Sequence, residues 1–104
     1  MEITLQYFDD CANWQTTDGY LKTLIDKHSL DAEVRYQLID TPEAAAEQGF
    51  RGSPTVLVDG SDPFADRDTP IGLACRIYQT ETGPAGSPSL AQLEQALHAG
   101  SPGT

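Results

Sequence analysis

Basic residues are scarce in this chain. Six lysines and arginines stand against 16 aspartates and glutamates, for a net charge of −10. A surface of that sign repels phosphate backbones and anionic headgroups, which argues against nucleic acid and membranes as partners. Long apolar runs are missing too: none approaches the roughly 20 residues that span a bilayer. The N-terminus has neither a basic n-region nor a cleavable apolar segment, so a cytoplasmic location is expected. No glycine-rich phosphate loop and no serine–histidine–acid arrangement is recognisable, which weakens nucleotide-binding and hydrolase readings.

Metal-ligating side chains are equally thin. Two cysteines do not suggest a structural disulfide framework in a cytosolic chain. The two histidines, His28 and His98, fall on separate predicted helices, each away from a second ligand. Asp59, Asp62, Asp66 and Asp68 lack the glycine and terminal glutamate of a calcium loop, and read as a solvated acidic connection. Neither a metal nor a cofactor is expected.

What is present suits one domain. A chain of 104 residues is too short for two; residues 2–98 are expected to fold together, with 99–104 as a flexible tail. Residues 2–8 are β-branched and aromatic, a strand pattern. Trp14, Tyr20, Leu21, Leu24, Ile25 and His28 recur at three-and-four spacing, which predicts an amphipathic helix over 12–28. Val34, Tyr36 and Leu38 alternate with polar residues, as in a half-exposed strand. Thr41-Pro42-Glu43 opens a helix that should stop near Gly49. Thr55 to Val58 is a nearly continuous apolar run, ended by Asp59-Gly60. After a long connection, Ala74 to Thr80 reads as another strand. Ser89 and Gln92 can form a capping box for a last helix, with Leu90, Leu93 and Leu97 facing the sheet. The order β-α-β-α-β-β-α predicts a four-stranded mixed sheet with helices on both faces.

Cys11 carries the chemical interest. It sits where the first strand gives way to the first helix, and Ser53-Pro54 precedes the third strand. That pairing, within that element order, resembles the thioredoxin fold across residues 2–98. More narrowly, Tyr7-Phe8-Asp9-Asp10-Cys11-Ala12-Asn13-Trp14, Phe50-Arg51-Gly52-Ser53-Pro54-Thr55 and Gly72-Leu73-Ala74-Cys75-Arg76-Ile77-Tyr78 are similar to small bacterial thioredoxin-like proteins. Some of those are known as DF-family (seleno)proteins and some bear an alkylmercury lyase label. The resemblance implies a cis bond before Pro54, with the Ser53 backbone beside Cys11 and free to pair with an extended peptide. It also implies that Arg51 lies close. Two departures stand out: Trp14 occupies the place of a resolving cysteine, and Leu5 stands where a buried acid is often found.

A thiolate at Cys11 is favoured by the amides of the helix start and opposed by Asp9 and Asp10, with Arg51 able to offset them. Cys75 is expected near the start of the last strand, at the end away from Cys11; a packed strand residue is the plainer reading and a resolving partner the alternative. Trp14 either flanks the thiol or anchors the first helix on the core. The expected function is thiol–disulfide exchange or thiol protection through one active thiol, Cys11, with Cys75 as second catalytic candidate. Trp14, Arg51, Ser53 and Pro54 would bind the partner, a protein or low-molecular-weight thiol or disulfide. Two alternatives stand beside it. One is a non-enzymatic binding module using a Trp14–Pro54 groove. The other is mercury or organomercurial handling, with Cys75 and Asp10 as the second thiol and the acid.

Overall fold

The computed structural model describes residues 1–65 and 69–99. Its elements are β1 (Glu2–Tyr7), α1 (Asn13–Lys27), β2 (Glu33–Leu38), α2 (Pro42–Gln48), β3 (Thr55–Val58), β4 (Tyr78–Thr80), β5 (Gly83–Ala85) and α3 (Leu90–Ala99). Asp66, Asp68 and residues 100–104 lie outside the described residues. Among those described, no helix is long and apolar enough to cross a membrane.

Local signals account for most of the boundaries. The Thr41 side chain accepts the Ala44 N–H at 3.0 Å and Pro42 occupies the first turn of α2. Gly49 ends that helix at φ 64°, a left-handed conformation that glycine adopts without a Cβ penalty. The capping box of α3 closes both ways: Gln92 N–H donates to Ser89 Oγ at 3.1 Å, and Ser89 N–H to Gln92 Oε1 at 3.0 Å. Leu93 and Leu97 are buried, whereas Leu90 is exposed and does not face the sheet.

The main sheet has three strands in the order β2-β1-β3. β1 runs parallel to β2, as expected across a helical crossover, and antiparallel to β3. Ile3 and Leu5 from β1 and Val56 and Val58 from β3 pack with Leu21 and Leu24 of α1 and Leu93 and Leu97 of α3. Thr17 and Ser87 share a buried hydrogen bond of 2.6 Å that ties α1 to the approach of α3. A smaller cluster, Ile39, Ala45 and Phe50, gathers around α2.

The expected four-stranded sheet is not formed. The strand predicted over 74–80 does not join β3; only Tyr78–Thr80 is extended, and it folds back on Gly83–Ala85 as a separate two-stranded sheet. Two local causes explain the difference. Val58 N–H donates to Ser61 O at 2.8 Å, so the tight turn at Asp59 (φ 51°) and Gly60 (φ 87°) bridges back onto Val58 at the end of β3. A second turn, Glu81-Thr82, is braced by Thr80 Oγ1 donating to Gly83 O at 2.6 Å and sends the chain back along itself.

Candidate functional site

Cys11 lies at the exit of β1. Its N–H donates to Phe8 O at 2.9 Å, closing the turn that contains Asp9 and Asp10. α1 begins two residues on, and its N-cap, Ala12, offers no side chain to the first-turn amides. Cys11 itself is buried, 3% exposed, while Asp9 and Asp10 are exposed.

Cys75 is not at the far end of the sheet. It is joined to Cys11 by a disulfide with Cα atoms 5.6 Å apart. This overturns the separation inferred from a four-stranded sheet, and the cause is the path of residues 74–76. Ser53 N–H donates to Ala74 O at 2.8 Å, and Arg76 N–H donates to Ser53 O at 2.9 Å. The three residues thus lie alongside Ser53 as a single parallel bridge rather than along β3. Both backbone groups that were expected to meet a partner peptide are taken by the chain itself.

Glycine makes that approach possible. Gly52 has φ 116°, and a Cβ there would stand 2.9 Å from Arg76 Cβ and 3.1 Å from Ala74 O. The Ser53–Pro54 bond is cis, as the resemblance implied, and both residues are buried.

Arg76 pins the segment from the other side. Its guanidinium bonds Asp62 at 2.8 Å, Thr55 Oγ1 at 3.3 Å and the Phe64 carbonyl, and lies over the Tyr78 ring at 4.7 Å. Tyr78 donates its hydroxyl to Pro54 O, and burial pushes its phenol well above the ordinary value. Asp62 is therefore an ion-pair partner of a buried guanidinium rather than a free loop carboxylate.

The remaining expected residues divide. Arg51 donates to the Thr69 carbonyl at the foot of the connecting loop. Trp14 stacks on Tyr7 with ring centroids 4.5 Å apart and packs against the main cluster, so it serves as an aromatic anchor. His28 and His98, expected apart, lie with ring centroids 5.1 Å apart, and His28 meets Glu94 at 2.8 Å. Among the described residues no group of three or more His, Cys, Asp or Glu is placed to hold a metal ion.

Arg76, Tyr78 and Gly52 escaped the sequence reading as parts of this site. The signal available was Arg76 itself, a cation placed between Cys75 and Ile77 in a strongly acidic chain.

Chemically, the site is a disulfide with unlike ends. One cysteine is buried at the entrance of a helix; the other is exposed and borders a cavity of about 320 Å³ shared with Asn13, Ile77, Pro84 and Gly86. The chain matches no protein-family model, no curated protein and no solved structure.

Proposed function

We propose that this protein works in thiol–disulfide exchange, cycling between the Cys11–Cys75 disulfide and the corresponding dithiol. One observation carries the reading: the bond joins a buried cysteine at a helix entrance to an exposed cysteine beside an open cavity. A bond that only cross-links the chain gains nothing from such exposure, whereas exchange requires access to a sulfur. The pair replaces the single-thiol scheme expected from Cys11 alone, because Cys75 supplies a second sulfur within the protein. The partner is a thiol or disulfide, carried by a protein or a small molecule. A cytoplasmic location agrees with this reading, since disulfides there are mostly transient, catalytic or redox-sensing.

A purely structural cross-link is the competing account, favoured by the sequence separation of 64 residues that the bond spans. Closing a loop of that length stabilises by about 4 kcal/mol in the chain-entropy model. Equilibration of the folded protein in glutathione redox buffers, with thiols counted by alkylation and mass, decides between them. Exchange predicts a reversible two-thiol transition with unchanged circular dichroism, and disulfide-substrate turnover lost in both C11S and C75S. A bond that opens only in denaturant overturns the proposal.

A further inference from the structure

The two sulfurs are unequal in access, and the surroundings decide which of them a partner meets. Cys11 is 3% exposed, enclosed where β1 turns into α1. Cys75 is exposed, and the cavity beside it is bordered by Ile77, itself 68% exposed. A thiolate attacks a disulfide sulfur in line with the breaking bond, so attack on Cys75 comes from the side away from Cys11. Attack on Cys11 would have to come through the packed interior.

The place where the leaving charge would settle is also distinctive. The first turn of α1 follows Cys11 and has no side-chain cap, so its amides favour an anion there. Ser53 adds an independent sign. Its hydroxyl is buried and is the one buried side-chain polar atom without a hydrogen-bond partner among the described residues. Ser53 and Cys75 stand opposite one another in a parallel bridge, which sets their side chains on the same face of the ladder. The unpartnered hydroxyl is therefore on the side of the disulfide. A buried donor left unpaired is unfavourable, and a thiolate formed at the disulfide, on the face that Ser53 shares with Cys75, would offer it an acceptor.

Resting on the exchange reading above, we propose that Cys75 is the sulfur attacked by the partner thiol and that Cys11 leaves as a thiolate received by the Ser53 hydroxyl and the α1 amides. In the first step a bond forms between the partner sulfur and Cys75 Sγ. The Cys11–Cys75 bond breaks with its electron pair going to Cys11. In the second step another partner thiolate attacks the partner sulfur of the mixed disulfide, and Cys75 leaves as a thiolate. Two partner thiols are oxidised to one disulfide, the protein gains two electrons, and the two protons released by the thiols end on solvent or on the protein dithiol. Run backwards, the Cys75 thiolate attacks a partner disulfide and Cys11 resolves the product.

The test mixes oxidised full-length protein with glutathione in one arm and a cysteine-bearing decapeptide in the other. Each is quenched within seconds by acid and N-ethylmaleimide, and the adducts are mapped by peptide mass. The partner is expected on Cys75, with N-ethylmaleimide on Cys11, and the arm giving more adduct identifies a small or a peptide thiol as the better source. Partner found on Cys11 overturns the proposal while leaving the exchange reading in place. No adduct on either sulfur of folded protein defeats the exchange reading, and this proposal with it. In S53A, the equilibrium constant with glutathione is expected to move several-fold toward the disulfide at unchanged circular dichroism. An unchanged constant overturns the part given to Ser53.

Discussion

Two regions of this molecule are held by opposite means. The body, where β1 and β3 meet α1 and α3, is apolar: Ile3, Leu5, Leu21, Leu24, Val56 and Leu93 are fully buried against one another. The clasp around Cys75 is polar. Arg76 is buried there among Asp62, Thr55 and the Phe64 carbonyl, and its segment is held by those bonds, by the bridge at Ser53, by the Tyr78 hydroxyl on Pro54 O and by the disulfide. Apolar packing tolerates small shifts at a graded cost. A polar clasp depends on each partner being present, because a buried charge left alone is expensive. The body can therefore stay intact while the clasp is remodelled, which is what the proposed opening and closing of the disulfide requires.

Four substitutions probe that contrast, beginning with the costliest. Leu24→Ala removes a fully buried side chain from the body and should cost about 4 kcal/mol in urea unfolding. A cost near zero would mean the body is not the stabilising unit. Arg76→Ala strips the clasp of its cation and leaves Asp62, 15% exposed, without its partner; about 3 kcal/mol is expected. The same variant should let a reductant open the disulfide faster, read by thiol release. A change as mild as an ordinary surface substitution would show that Arg76 does not hold the segment.

Gly52→Ala comes next. It forces a Cβ into Arg76 at a φ of 116° and should cost about 2 kcal/mol. The loss should appear first as faster hydrogen exchange at the Ser53 and Arg76 amides; uniform exchange across the sheet would contradict a local clasp. The smallest effect belongs to Glu94→Gln, on the exposed rim of the body. The hydrogen bond from His28, followed by the charge of Lys27, holds the Glu94 carboxyl below its ordinary value of 4.5. A lowered folded value means the pairing stabilises above the ordinary carboxylate titration and is lost as pH falls through the lowered value. The glutamine variant should flatten that acid limb slightly and leave neutral pH almost untouched, measured as melting temperature against pH.

Legibility follows the same division. β1, β3, the start and stop of α2 and the capping box of α3 could be read because periodicity and local caps determine them. The apolar register of 74–80 misled, since Ile77 is 68% exposed while Arg76 is 4% exposed, the reverse of a core strand. A buried arginine needs partners from distant segments, here Thr55, Asp62 and Phe64, and no local pattern announces them. β5 has no sequence signature, since Gly83 and Pro84 are poor strand formers and proline is tolerated only on an edge strand such as this one. The meeting of His28 with His98 depends on α1 lying against α3, which only the tertiary fold supplies.

The bond between residues 11 and 75 also changes the molecule's connectivity. In the oxidised state residues 11 through 75 form a covalent ring that carries α1, β2, α2 and β3, with β1 and the β4–β5–α3 stretch as two arms leaving the same junction. A backbone cut anywhere in that ring would leave one covalent molecule, because both fragments stay tied at the sulfur pair. The same cut in the reduced state would release two pieces. The redox state of a single bond thus sets whether damage to most of the chain is a nick or a severance.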